Sequence, residues 1–168
     1  MIKWMSFPKY KKIEPHMMDI VDVFEKEYAR FTSEQYTKES NKVLEDVTEG
    51  LEGIGYLVEK GKRKDQKIHI PVLYGENGKQ VLAFDADAYN FSQKTVIEVE
   101  AGRAVVNYQF LKDFYQACMM QDVEHLCIAV RNDYKGKDDF KKVCDFFDTL
   151  FMSNKMEIPL KSILIIGY

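Results

Sequence analysis

The hydrophobic and polar positions along the chain follow two different periods, and these periods divide it into helices and strands. Apolar residues recur every three or four positions over residues 15–30, and again from residue 40 to the glycines at 53 and 55, which predicts two helices. Beyond Gly55 the period changes, and polar turns separate short apolar runs. We expect strands at 56–58, 68–74, 81–89 and 95–101.

The second half of the chain returns to helical spacing and then alternates with apolar runs. A helix is predicted from Arg103 to about residue 121 and another over about 137–152, with strands at 126–130 and 162–168. The apolar stripe of the first of these helices is expected to consist of Ala104, Tyr108, Leu111, Tyr115 and Cys118. This order of elements predicts an α/β fold in which helices flank a mixed central sheet.

Composition and charge narrow the class of protein. With 168 residues, of which 46% are hydrophobic and 30% charged, the chain is expected to form a single globular domain over 1–168. No apolar run approaches the roughly 18 residues of a membrane span, and no signal peptide is evident, so we expect a cytoplasmic protein without membrane contact. The net charge of −3 means that any contact with nucleic acid would need local basic patches.

Four carboxylates stand out on two predicted neighbouring strands. Asp85 and Asp87 are two residues apart, as are Glu98 and Glu100, so a hairpin would bring both pairs to one face. Like charges about 4 Å apart repel by roughly 4 kcal/mol near a protein surface, and a divalent cation would relieve that repulsion. The alternative is that the acids lie on a solvent face. The residues pointing inward would then be Ala86, Ala88, Val96 or Val99.

Asp87 and, eleven residues later, the tripeptide Glu98-Val99-Glu100 resemble the signature of the PD-(D/E)xK nuclease superfamily. In that restriction-endonuclease-like fold, an Asp near the end of one strand and a (D/E)-x-K tripeptide on the next lie within an αβββαβ core. The elements predicted over about 40–131 follow the same order. The resemblance therefore implies such a core there, with the helix at 15–30 and the helix and strand at 137–168 as additions.

The sequence departs from the family pattern at two positions. Glu100 replaces the usual lysine, as Glu or Gln does in some restriction enzymes of this fold, and Ala86 stands where the family often has Pro. Asp85 is the competing choice for the strand aspartate. The family often places a Glu on the first core helix, and Glu45 fits that position, with Glu49 one turn later as the substitute.

The resemblance implies hydrolysis of DNA phosphodiester bonds that depends on Mg²⁺ or Mn²⁺. Glu100 would orient or deprotonate the attacking water, and Lys94 or Lys112 could supply the missing positive charge. The implied catalytic residues are Asp87, Glu98, Glu100 and Glu45, and the implied metal ligands are Asp87, Glu98, Asp85 and the backbone carbonyl of Val99.

DNA contacts need positive charge outside the acidic strands. The turn at 61–67 and the helix after the acidic strand offer such charge, and so does the basic N-terminal segment with lysines at 3, 9, 11 and 12. A solvated turn and a frayed terminus are the alternatives. The predicted nucleic-acid-binding residues are Lys62, Arg63, Lys64, Lys67, Arg103, Asn107 and Lys112.

Three functions are compatible with the sequence. The first is an Mg²⁺-dependent DNA endonuclease related to restriction or defence, expected to be a homodimer because cutting a duplex needs two active centres. The second is a nucleic-acid-binding protein of the same fold that has lost hydrolysis. The third is a metal-free interaction module whose acidic face binds a basic partner.

Overall fold

The computed structural model describes residues 1–61, 63–133 and 135–168. The helices are α1 (Pro15–Glu27), α2 (Ser40–Gly53), α3 (Gln109–Met119) and α4 (Asp139–Ser153). The strands are β1 (Lys3–Phe7), β2 (Leu57–Val58), β3 (Ile68–Tyr74), β4 (Gln80–Ala86), β5 (Ala88–Asn90), β6 (Thr95–Glu100), β7 (His125–Val130) and β8 (Ser162–Gly167). Over the described residues, no helix combines the length and apolar character needed to cross a lipid bilayer.

The predicted mixed central sheet is confirmed. Six strands form it in the order β1-β8-β7-β6-β5-β2. The central strands β6, β7 and β8 are parallel, whereas β1, β5 and β2 pair antiparallel to their neighbours. Strands β3 and β4 make a separate two-stranded ribbon. The turn that follows Asn90 joins β5 to β6, which gives the antiparallel hairpin expected from the sequence.

Helices cover both faces of the sheet, because its central strands are apolar on both sides. Helices α1 and α2 contribute to the core on one face, with Phe24 and Leu51 fully buried. Helices α3 and α4 contribute to the core on the other face, with Phe114 and Phe147 buried.

Alternation along β6 decides which core each of its side chains joins. Ile97 and Val99 pack into the core under α1 and α2, whereas Val96 packs into the core under α3 and α4. Glu98 and Glu100 therefore share the face of Val96 and lie beneath α3. The alternative in which these glutamates occupy a solvent face of the sheet does not hold, because both sheet faces are covered.

The N-terminal segment begins with a strand, so the alternative of a frayed terminus does not hold for residues 3–7. Strand β1 pairs along its length with β8, from Lys3 opposite Gly167 to Phe7 opposite Ile163. It lies at the edge of the sheet, where one side of its backbone faces solvent and charged side chains are tolerated. For that reason the segment lacks the continuous apolar run that predicts a central strand.

Two predicted elements differ in extent from those observed. The helix predicted from Arg103 begins only at Gln109, because Gly102 and Tyr108 adopt positive φ angles of 85° and 51° and the chain between them forms turns. Its buried face consists of Phe110, Asp113, Phe114 and Ala117. Of the expected apolar stripe, Leu111 and Cys118 are partly buried against the same core, whereas Tyr108 and Tyr115 are exposed, so the stripe is only partly right. The strand predicted over 81–89 is divided at Asp87, where the chain leaves the β3–β4 ribbon and joins the central sheet.

Candidate active site

Six carboxyl groups line one cavity of about 600 Å³ beside the C-terminal end of β6, and two of them, Glu59 and Asp85, pair with Lys67. The other four form one set. They belong to the bend between β4 and β5, to β6 and to α3. We call these residues the acidic cluster: Asp87, Glu98, Glu100 and Asp113. The acidic cavity, as we name it, is also lined by Asp85, Lys67 and Lys112.

Asp87 is held by backbone contacts at the point where the chain changes sheets. Its side-chain Oδ2 accepts a hydrogen bond of 2.8 Å from the backbone N–H of Val99. Its own carbonyl oxygen accepts one of 2.8 Å from the backbone N–H of Glu59. The bend thus turns Asp87 towards β6, whereas a continuous strand would have kept it on the same face as Asp85.

Glu98 and Glu100 enter the cavity because they alternate with buried apolar residues on β6. The intervening Val99 side chain is 2% exposed and lies in the opposite core. The carbonyl oxygen of Glu100 accepts a hydrogen bond of 3.1 Å from the hydroxyl of Tyr168, which fixes the end of the strand. A one-residue change in register would send both glutamates into the other core.

Asp113 is the member of the cluster that the sequence analysis missed. It lies on the buried face of α3 and is only 4% exposed. The side-chain amide of Gln109 is 3.5 Å from Asp113 Oδ1, and no N–H or hydroxyl of the described residues donates to Oδ2. A carboxylate on the buried face of an amphipathic helix, between Phe110 and Phe114, was the available signal.

All four carboxyl groups of the acidic cluster have raised pKa values. Burial raises the pKa of Asp87 and of Asp113 to about 6 and that of Glu100 to about 8. Burial, and then the charges of Asp87, Asp113 and Glu100, raise the pKa of Glu98 well above its usual value. The charges of Asp113 and Asp87, and then a hydrogen bond with Asp113, contribute to the raised pKa of Glu100. Glu100 therefore retains its proton near neutral pH unless a positive charge enters the cavity.

The protein supplies part of that positive charge. The charge of Lys112, next to Asp113 on α3, acts to lower the pKa of Glu98, Glu100 and Asp113, although burial outweighs it. Lys67 Nζ is 2.9 Å from Asp85, and His69 Nδ1 lies 2.7 Å from the same carboxylate. Although burial acts to raise the pKa of Asp85, the hydrogen bond and charge of Lys67 outweigh it and lower that pKa. The charge of Asp85 is thus compensated by Lys67, unlike that of the acidic cluster.

Two residues proposed from the sequence lie away from the acidic cavity. Glu45 is exposed on α2, pairs with Lys42 at 2.7 Å and is absent from the described lining of the cavity. Lys94 precedes the N-terminal end of β6 and forms a 2.9 Å ion pair with Glu124. Because Glu98 and Glu100 lie at the opposite end of that strand, Lys94 is not placed to compensate them.

The predicted nucleic-acid-binding residues lie at several separate places. Lys67 and Lys112 line the acidic cavity, and Arg103 lines a neighbouring cavity. Arg63 is exposed and lies 3.5 Å from Asp65, and Lys64 is exposed in the same turn. Lys62 lies outside the described residues. Asn107 is exposed in the turn before α3.

The donor atoms of the acidic cluster suit a hard divalent cation. All of its side-chain donors are carboxyl oxygens, and Asp113 Oδ2 is buried without an N–H or hydroxyl partner among the described residues. Within that part of the chain, no group of three or more His, Cys, Asp or Glu side chains is arranged to hold a metal ion. Mg²⁺ needs fewer, because it commonly binds through one or two carboxylates and keeps several waters. Asp87 and Glu98 fit that requirement.

The fold of the chain is that of restriction endonucleases. The crystal structure of free BglII, a restriction endonuclease, superposes with a TM-score of 0.52 at 11% sequence identity. The match covers 99% of this chain and 78% of the BglII chain. By sequence the chain matches no protein family model and no curated protein. The restriction-endonuclease-like fold implied by the sequence is therefore confirmed from structure.

Proposed function

We propose that the protein is a metal-dependent endonuclease that hydrolyses DNA phosphodiester bonds. The observation that carries this proposal is the acidic cluster, in which four carboxyl groups meet in one cavity and burial raises their pKa values. Raised pKa values of this kind are common at catalytic sites. The likeness of the fold to that of a restriction endonuclease supports the same conclusion.

Five residues of the cavity have a role in this proposal. Asp87 and Glu98 would hold Mg²⁺ or Mn²⁺, and Val99 would offer its backbone carbonyl. A bound cation would offset negative charge developing on the phosphate and lower the pKa of water. Glu100 would orient the attacking water and accept its proton once its own proton has been lost. Lys112 would contribute the positive charge that a lysine supplies in the family pattern.

The proposal extends to the setting of the reaction. Cutting both strands of a duplex needs two active centres, so we propose a homodimer that acts on DNA in the cytoplasm, in restriction or defence. Lys67, Arg103 and Lys112 would contact phosphates. The Glu45 role implied by the family pattern is not part of this mechanism, because its carboxylate pairs with Lys42 away from the cavity.

Incubation of supercoiled plasmid with the protein and Mg²⁺ or Mn²⁺ tests this proposal. We expect nicked and linear products, and we expect Glu98→Gln to slow their formation at least about a hundredfold, since the loss of metal-borne charge stabilisation amounts to several kcal/mol. Glu157→Gln is the matched control, because Glu157 is exposed and does not line the described cavity. Plasmid that stays supercoiled with both metals from neutral to alkaline pH would contradict hydrolysis.

A second candidate is a nucleic-acid-binding protein without hydrolytic activity. Glu100 favours it, because this carboxyl stands where the family pattern has a lysine, and burial beside Asp113 raises its pKa to about 8. This candidate predicts that the plasmid remains supercoiled while an oligonucleotide still binds. Binding measured by fluorescence anisotropy, with and without Mn²⁺, separates the two candidates.

A further inference from the structure

A second cavity of about 860 Å³ adjoins the acidic cavity. The two cavities share four lining residues: Ser40, Asn41, Glu100 and Gln109. Since Glu100 and Gln109 border both, the second cavity lies directly beside the acidic cluster. The volume is within the range of about 300–1,000 Å³ that is typical of ligand sites.

The second cavity differs from the first in its chemistry. Its cations are Arg103, Arg131 and Lys135, and its hydroxyl groups belong to Ser33, Tyr36 and Thr37. It also contains the acids Glu39 and Asp133. Asp133 Oδ1 accepts a hydrogen bond of 3.2 Å from the backbone N–H of Gly136, so this carboxylate already has a partner within the protein.

Arg131 is the fixed cation of the second cavity. It directly follows Val130, the residue of β7 that pairs with Glu100 in the parallel ladder. Arg131 and Glu100 therefore lie at the same end of two neighbouring strands. Arg131 is 6% exposed, and its Nη2 donates a hydrogen bond to the carbonyl of Lys38. It also forms a hydrogen bond with Tyr168, whose hydroxyl donates to the Glu100 carbonyl. One set of contacts therefore joins Arg131 to the acidic cluster.

The N-terminus of α2 adds to the anion-binding character of this region. Ser40 and Asn41 begin that helix, whose N-cap residue Glu39 makes no side-chain capping hydrogen bond and whose first turn contains no acidic residue. The first amides of a helix carry a partial positive charge that favours a phosphate. Because Ser40 and Asn41 line both cavities, this charge lies between them.

We propose that the second cavity binds the phosphodiester backbone of the nucleic-acid strand next to the phosphate held in the acidic cavity, through Arg103, Arg131 and Lys135. The inference rests on the proposed function, because that function places one phosphate of the strand in the acidic cavity. It adds the direction in which the strand leaves the acidic cluster. Arg131 sets the depth at which the phosphate binds, and the exposed Arg103 and Lys135 close on it from the rim.

The test measures binding of a fluorescent single-stranded DNA in EDTA, where cleavage cannot occur. Arg103→Ala and Lys135→Ala each replace an exposed cation, so both variants should fold. For the double variant we expect affinity to fall about tenfold or more at low salt. The slope of log K against log salt should become shallower by about 1.4, which corresponds to two lost phosphate contacts at about 0.7 each. Lys155→Ala, an exposed lysine outside the described lining of both cavities, is the control.

Each outcome decides the inference. Loss of affinity and slope in the double variant but not in Lys155→Ala supports it, and it stands even if no metal produces cleavage, in which case only the hydrolytic proposal fails. Unchanged binding by the double variant overturns it, including when the protein cleaves plasmid. An equal loss in Lys155→Ala would show non-specific attraction and would also overturn it. Absence of any binding by the native protein would overturn it together with nucleic-acid recognition.

Discussion

Glu100 shows how one position in a sheet determines the chemistry of a side chain. It follows the buried Val99 on β6, and it meets Asp113 of α3 in the acidic cavity. Burial and the neighbouring carboxyls raise its pKa to about 8, against an ordinary value of 4.5. In the unfolded chain Glu100 loses its proton at a lower pH than in the folded protein. The stability that it contributes is therefore complete below about pH 4.5 and is lost as the pH rises towards 8.

The substitution Glu100→Gln should consequently stabilise the protein at neutral and alkaline pH. We expect a gain of about 1–3 kcal/mol at pH 7, because glutamine needs no proton to remain neutral and its amide can still donate to Asp113. The gain should disappear as the pH falls to about 4.5. Urea unfolding at a series of pH values measures it, with Glu157→Gln as the control. A difference between Glu100→Gln and the native protein that is the same at every pH would contradict this prediction.

At the same scale, Asp113 marks the limit of what could be predicted for the site. Asp87, Glu98 and Glu100 could be found because they form a recognisable spacing along the chain. Asp113 lies on a separate element, and the structure brings it to the cluster only through the packing of α3 on β6. The apolar stripe expected for α3 contains Leu111 and Tyr115 in place of Phe110 and Phe114. That stripe does not predict burial of the aspartate that lies between the two phenylalanines.

Among the elements, β1 is the one that sequence reasoning did not find. Phe7 at its end is 1% exposed, stacks on Phe151 at 6.0 Å and packs against Phe147 at 5.8 Å. Trp4 on the same strand is 42% exposed. The strand thus contributes one aromatic anchor to the core under α3 and α4, while its other side chains are more exposed.

This difference predicts unequal effects of two similar truncations. Phe7→Ala should lower the free energy of unfolding by about 3–5 kcal/mol, because it leaves a cavity between aromatic rings. Trp4→Ala should change it by about 0.5 kcal/mol or less, as is usual for exposed positions. Chemical denaturation of both variants provides the measurement. Equal costs for the two would mean that β1 does not anchor the sheet edge.

The elements that could be predicted are those whose pattern is decided locally. Helices α1, α2 and α4 and strands β3, β7 and β8 match the expected ranges within a few residues, because each carries a full period of apolar positions. The late start of α3 depends on positive φ at Tyr108, a residue type that rarely adopts it. The division between β4 and β5 arises because β4 pairs with β3 in the separate two-stranded ribbon, whereas β5 joins the central sheet. No local sequence pattern at Asp87 predicts this division.

At the scale of the whole molecule, the carboxyl groups buried in the acidic cavity lower the stability of the fold when they are charged. The carboxyl groups lie beside the C-terminal end of β6, a central strand whose two faces are covered. This environment disfavours their charged forms. A ligand that binds only the folded protein and carries positive charge removes part of this cost. Its binding free energy then adds to the stability of the whole fold.

Mg²⁺ should therefore raise the melting temperature, and more so as the pH increases. At a concentration about a hundred times its dissociation constant the stabilisation is about 2.7 kcal/mol, or about 5–10 °C for a chain of this size. The effect should be small below the pKa of Asp87, about 6, because protons then compete for the carboxylates, and it should grow towards pH 8.

Thermal unfolding at matched ionic strength in KCl measures it without reference to catalysis. Glu98→Gln should abolish the shift and Glu157→Gln should preserve it. An equal shift in both variants would place the ion elsewhere, and the acidic cluster would then lose its role as a metal site.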